Sequence, residues 1–529
     1  MDYLYSIIGI WCILCFRFLV YSPLGSTGVN EGDVLPLARQ FVDPQWIPQD
    51  WYLNQPAGYR LLFSIIAGHA ISGVGWVATS MIGRSLCFGM LAIGFVWVAQ
   101  RLKLSIPMVW FVAAAWVTFG QSAIAGEWIA QSLEAKAIAY GFVFLAIGCL
   151  LHHHYRWMGI LLGVATSFHV LVGGYAFLAA GGVYGLNVSH SAKPRIGLQT
   201  LGLYIAGSSF AIPAVIHQVA SMLQPQTEAG VPASAIYVFF RLPHHLNPLS
   251  WDTVQWIEMA LFLVVFNLAL VMLRRGWLQR SPLSQDQRVA VDTVATFTAF
   301  ALVPFVLGLL IAPFDLDGKW LQFYPFRFGD VMLPLSAYLL AGLLLQNIGQ
   351  GRSRRILIIA PLLGLGLFLG HYSPQFLSGL AAMRQFPNQH PEISRPWYAL
   401  CQWVQQSTPE TAIFITPPAD YEEFTWLTER ATVAKLKFLP QAEAGIQEWV
   451  DRLQQLSNRT DVVTIDRHHG HTEVVRQRLR DGYASLTTED AIALMKRYSA
   501  DYFVTERQHQ LDLPVAYRNH RFLIYSNPK

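Results

Sequence analysis

The chain has 529 residues, 53% of them hydrophobic and only 13% charged, against roughly 25% charged in an average soluble domain. A formal charge of +4, with no basic run interleaved with aromatics, is too small to suggest a nucleic-acid partner. The five cysteines, Cys12, Cys15, Cys87, Cys149 and Cys401, form neither a disulfide framework nor a Cys/His zinc spacing.

The charge is unevenly spread. From Tyr372 to Lys529 there are 17 basic and 18 acidic residues, 35 of the chain's 70. This predicts a transmembrane helical domain over residues 1–371 and a soluble α/β domain over residues 372–529. At the start, Leu4–Tyr21 is apolar and no small-residue cleavage site follows. It reads as a retained first span and not as a removed signal.

A hydrocarbon core takes roughly 20 apolar residues per helix. Gly75–Ala99, Ile106–Phe119, Leu133–Leu151, Met158–His169, Leu171–Leu186, Leu201–Val219, Val254–Leu273, Val291–Ile311, Val331–Leu345 and Ile356–Leu369 meet or approach this. With Leu4–Tyr21 they make about eleven spans. Arg101/Lys103, Arg156, Lys193/Arg195, Arg274/Arg275/Arg280 and Arg352/Arg354/Arg355 fall in five connections. An odd span count with a cytoplasmic N-terminus puts all five inside. Glu31, Asp33, Asp43, Asp50, Glu127, Asp315 and Asp317 then lie outside, as does the tail. Tyr59–Val74, interrupted by Arg60, His69 and glycines, reads as a helix at the outer interface. Trp157–Val188 has basic flanks on both sides and so must cross twice, turning near His169–Gly174.

The tail has a different rhythm. Trp397–Gln406 and Ile446–Leu456 have helical spacing. Thr411–Thr416, halted by Pro417-Pro418, and Val462–Ile465, Tyr502–Thr505 and Phe522–Tyr525 read as short strands. No Gly-rich phosphate loop, Gly-x-Ser-x-Gly elbow or Walker signature is present there. The tail therefore reads as a lid or docking domain.

Several polar groups could do chemistry. In the first outer loop, Glu31 and Asp33 could take a proton or hold a divalent cation. The bland alternative is loop solvation. Asp43 and Asp50 precede Pro and Trp and suit turns or caps. Glu127, Gln131 and Glu134 stand at i, i+4 and i+7, which on one helix would share a face. Lys136 would point elsewhere, and a Glu134–Lys pairing between helices is the structural alternative. Arg241, His244 and His245 together suit a phosphate, or else an interfacial anchor. Lys319 follows Asp315 and Asp317. Arg327 starts a span beside aromatics, where it could snorkel or grip a lipid phosphate, with Asp330 one turn on to orient it. His152-His153-His154 reads as an interfacial loop end. No metal site is evident, and the cofactor stays open between none and a divalent cation.

This layout resembles the GT-C class of polyprenyl-phosphate-sugar-dependent glycosyltransferases. The shared features are a cytoplasmic start, an acidic first outer loop, an interfacial helix within it, a second span ending in Arg101 and Lys103, and a soluble outer domain. More closely, Glu127–Gly141, Arg241–His245 and Tyr324–Leu333 resemble a bacterial family of uncharacterised membrane proteins with that layout. The resemblance implies a mainly α fold: a polytopic transmembrane bundle of about eleven spans, N-terminus in and C-terminus out, with a small C-terminal soluble α/β domain. It implies a bacterial inner membrane location, with a membrane lipid and a lipid-linked sugar donor as partners. No oligomeric state follows from it. Asp33, or Glu31, would be the base that activates an acceptor hydroxyl for inverting attack. Glu127, Glu134, Lys136, Arg241, His244, His245, Lys319 and Arg327 would bind substrate, its cations neutralising the leaving phosphate. The sequence departs from the class where Gly32 separates Glu31 from Asp33. It also lacks the tryptophan-rich motif of oligosaccharyltransferases. A transporter or lipid flippase using the Glu127/Glu134 face, and a non-catalytic scaffold, are the rival readings.

Overall fold

In hydrocarbon every backbone N–H and C=O must find its partner within the segment, so apolar runs of this length become helices. The computed structural model describes residues 2–20, 30–187, 193–222, 231–277, 282–349, 354–385, 393–459, 461–468 and 472–528. Ser26 to Val29 of the first loop, Arg280, Arg352 and the side chains of Lys193, Arg354 and Arg355 lie outside the described residues.

Each of the eleven apolar segments is helical over most of its described residues. Among the described residues, five helices are long and apolar enough to cross a membrane: Asp2–Leu19, Trp76–Arg101, Thr253–Arg275, Gln285–Ile311 and Arg327–Ile348. The pair Pro194–Gly207 and Ser209–Ala220, bent by 54°, makes a sixth if it counts as one span. Ile106–Phe119, Ala135–Leu151 and Val170–Leu186 are apolar but shorter. The chain is thus a helical membrane protein with a small sheet near its C-terminus.

The residues fall into two compact units. The first comprises Met1–Tyr21, Met81–Gln226 and Pro243–Leu377. Its central element is Arg327–Ile348, whose apolar window is 83% buried, against 28% for Thr253–Arg275. The latter exposes Val254, Ile257, Leu261, Val264 and Leu268. Their spacing of three and four residues makes one apolar stripe, which suits lipid. Helix contact is close where small residues allow it. A Cβ at Gly94 would lie 2.6 Å from the Cβ of Phe144, so these two helices meet backbone to backbone. The apolar stretch from residue 155 to 187 is broken at His169, which leaves helical geometry between Tyr155–Phe168 and Val170–Asn187.

The second unit comprises Ser22–Ser80, Thr227–Leu242 and Ser378–Lys529. Its sheet contains β1 (Ile413–Ile415), β2 (Ala431–Thr432), β3 (Tyr502–Glu506), β4 (Val515–Arg518) and β5 (Phe522–Ser526), in the order β2-β1-β3-β5-β4. β1 runs parallel to β2 and β3, with Phe414 opposite Tyr502. β5 runs antiparallel to β3 and β4. The helices Arg395–Ser407 and Glu443–Leu456 form where helical spacing predicts them. Val462–Ile465, expected as a strand, is not one. Val462 is buried in the core all the same, so an apolar run was satisfied by packing without joining the ladder.

The first loop shares this unit's core. Ile47, Tyr52 and Leu53 cluster with Ala431 and Phe438, and the Tyr52 and Phe438 rings stack at 5.1 Å. Asp50, 1% exposed, accepts the backbone N–H groups of Leu53 at 2.9 Å and Thr432 at 3.0 Å. It closes a local turn and pins the loop to β2. Burial pushes its carboxyl up to about 6, against the pull of those N–H groups. Gly75, at φ +82, ends the Leu61–Val74 helix before Trp76–Arg101 begins, a conformation that costs glycine little.

Candidate functional site

The second unit presents Asp33 in the first turn of the Glu31–Val42 helix, where backbone N–H groups favour a carboxylate. The Tyr52 hydroxyl donates to its Oδ1. Arg60 Nη1 stands 3.9 Å from its Oδ2. Burial, then the Asp33 charge, push the Tyr52 phenol upward, so it remains a neutral donor. Tyr52 and Arg60 also line a cavity of about 290 Å³, bounded by the Glu31–Val42 helix, residues 52–57, Arg60, Ser64 and residues 439–441. Glu31 is fully buried and accepts the Ser80 hydroxyl at 2.7 Å. Asp33, with its side chain 12% exposed, is thus the loop carboxylate that reaches solvent beside a cavity. Asp43 pairs with Arg39 at 2.8 Å.

The first unit gathers the other candidates. Glu127 Oε1 accepts from Arg327 Nε at 2.8 Å, and its Oε2 accepts from Lys136 Nζ at 3.2 Å. His245 Nδ1 lies 3.9 Å from Oε1 and donates to the Ala125 carbonyl at 2.6 Å. Arg327 Nη1 donates to His169 Nε2 at 2.9 Å. Since guanidinium has no acceptor, His169 offers its Nε2 lone pair there. Arg327 also covers the Tyr324 ring, and Lys136 the Trp128 ring, at 3.7 and 3.9 Å. Burial alone would raise the Glu127 carboxyl. Arg327, Lys136 and His245 outweigh it and hold that carboxyl below the usual range. Burial lowers the His245 imidazole, against the pull of Glu127.

This cluster is held by its own loop. Asp330 Oδ1 accepts the N–H groups of Ala123, Ile124 and Ala125 at 3.0, 2.7 and 2.9 Å. Its Oδ2 accepts from Ser122 Oγ at 2.7 Å and from Glu127 N–H at 3.2 Å. Gln121 Oε1 accepts from Ile129 and Ala130 N–H, both at 2.8 Å. A buried loop has few other ways to satisfy its amides.

Several expectations change. Glu127, Gln131 and Glu134 share no helix, because the chain is irregular from Gly120 until the helix Ala135–Leu151 begins. Lys136 does not point elsewhere: it pairs with Glu127, while Glu134 accepts from Ser132 Oγ at 3.3 Å. The partner that fixes Arg327 is Glu127, and Asp330 serves the loop instead. Arg241 ends the π-helical turn Ile236–Arg241 in the second unit, and His244 and His245 belong to the first. Arg241 donates to the carbonyls of Leu436 and Lys437, each at 3.2 Å. Lys319 is exposed and pairs with Asp317 at 3.3 Å. Tyr52, Arg60 and His169 were missed as site residues. The signal for Arg60 and His169 was a basic group interrupting an apolar run.

Among the described residues, no group of three or more His, Cys, Asp or Glu is arranged to hold a metal ion. Fold and site together define a helical membrane protein with a sealed ionic cluster in one unit and a cavity-side carboxylate in the other. A family model described as a domain of unknown function (DUF6798) matches residues 395–456. None of the curated proteins compared matches the chain.

Proposed function

We propose that this protein is a GT-C-like membrane glycosyltransferase that moves a sugar from a polyprenyl-phosphate donor to an acceptor hydroxyl. The observation that carries the reading is Asp33, bonded by Tyr52 and faced by Arg60, two residues that line a small cavity. In the proposed step the Asp33 carboxylate takes the acceptor's hydroxyl proton. The acceptor oxygen bonds to the sugar's C1 from the face opposite the phosphate, which inverts the centre. The C1–O bond breaks, and the lipid phosphate leaves with the electron pair. The reading keeps eleven spans with the N-terminus inside, so that Asp33 and the α/β unit face outward in a bacterial inner membrane. It is supported by the helical state of all eleven segments.

The test is to incubate purified protein with a panel of polyprenyl-phosphate sugars and candidate acceptors. Wild type should transfer at least one sugar, and Asp33→Asn should lose about 10²–10⁴-fold in turnover. Equal turnover in both removes Asp33 from the chemistry.

A further inference from the structure

One cavity of the second unit is lined by side chains with hydrogen-bonding capacity to spare. Ser64 is 3% exposed, lines the cavity and makes no hydrogen bond among the described residues. Gln441 lines it too and likewise makes none. Gln55 donates Nε2–H to the Trp51 carbonyl at 3.1 Å, which leaves its side-chain oxygen open. Arg60 stands 3.9 Å from Asp33 and is held by the Tyr52 and Tyr59 hydroxyls. Open donors and acceptors gathered on one cavity wall are what a small polar ligand needs.

The chemistry of that ligand follows from the wall. Arg60 is the one charged lining residue, and Asp33 beside it cancels its charge. Carboxamides and a hydroxyl donate and accept in equal measure, which matches hydroxyl groups better than an ion. Leu53 and Leu439 supply apolar surface for the C–H face of a ring. The volume of about 290 Å³ sits at the low end of the roughly 300–1,000 Å³ usual for small-molecule sites, which suits a single ring and not a chain.

We propose that the cavity binds a neutral, hydroxyl-rich ring of the size of one sugar residue. The 439–441 turn, which lies within the stretch matched to the domain of unknown function, forms one wall. Gly58 helps to build it: it holds φ +55, and a Cβ there would collide with the Gln441 side-chain oxygen. The inference rests on the transferase reading only in making this ring the acceptor.

The experiment uses the full chain in lipid nanodiscs. Methyl glycosides of glucose, galactose, mannose and N-acetylglucosamine are titrated by ligand-observed NMR, with inorganic phosphate as the charged control. At least one glycoside should bind, and Ser64→Val and Gln441→Leu should each weaken it about tenfold at an unchanged melting temperature. Gln441 is only half buried, so its variant serves if Ser64→Val fails to fold. Silence from all four glycosides, binding that ignores both substitutions, or preference for phosphate overturns the inference. Glycoside binding without transfer from any polyprenyl-phosphate sugar leaves the inference standing and removes the transferase reading. Transfer that survives both substitutions at full rate does the reverse.

Discussion

The two units treat their acidic groups in opposite ways. In the first, Glu127 is sealed, its side chain 1% exposed, and each oxygen is bonded to a cation. In the second, Asp33 has one hydrogen-bond donor, one distant guanidinium and a cavity nearby. The first arrangement is what holds a loop in place. The second leaves lone pairs for a reacting proton. Burial and charge by themselves therefore do not mark the reactive group; uncommitted bonding capacity next to space does.

The comparison can be broken most forcefully at Asp330. Asp330→Ala strands three buried N–H groups and one hydroxyl, and should cost about 4 kcal/mol or more, read as a fall in thermal stability in nanodiscs. Glu127→Ala leaves two buried cations uncompensated and should cost about 3–5 kcal/mol by the same readout. Small losses in both would mean that the first unit is not held by its charges.

Acid should separate the units. Asp50 has a folded pKa of about 6, above its unfolded value of about 3.9. The folded form then binds its proton more tightly, so stability rises as pH falls through about 6 toward 4, by on the order of 2–3 kcal/mol. Glu127 is depressed, so its contribution is present above the unfolded value and is lost on stronger acidification. Hydrogen-exchange protection across residues 47–55, taken relative to the intrinsic rate at each pH, should rise between pH 6 and about 4, and Asp50→Asn should abolish that trend. An unchanged trend in the variant would remove Asp50 as its source.

The smallest stability effect should come from Asp33→Asn, below about 1 kcal/mol, since its single ion pair is long and partly exposed. A larger loss would make Asp33 a structural group like Glu127.

What was legible in the sequence had a local cause. Apolar runs became helices, and strong strand formers at Tyr502–Thr505 and Phe522–Tyr525 became β3 and β5. What was hidden depends on distant partners. Asp330 meets its loop some 200 residues away. The i, i+4, i+7 spacing from Glu127 implied a helix, but Gly126 at φ +65 and the anchoring of the loop by Asp330 and Gln121 favoured an irregular path. β2, two residues long, carries no pattern to detect. Of the site, Asp33, Glu127 and Arg327 were visible as separate candidates, while the Glu127–Arg327 pairing, Tyr52 and Arg60 emerge only once the chain is folded.

The most direct measurement is sugar transfer by three matched samples: wild type, Asp33→Asn and Asp33→Glu. The account predicts turnover in the wild type, a loss of about 10²–10⁴-fold in Asp33→Asn, partial recovery in Asp33→Glu, and similar melting temperatures throughout. Full turnover in Asp33→Asn, or no transfer by the wild type from any polyprenyl-phosphate sugar, would contradict it.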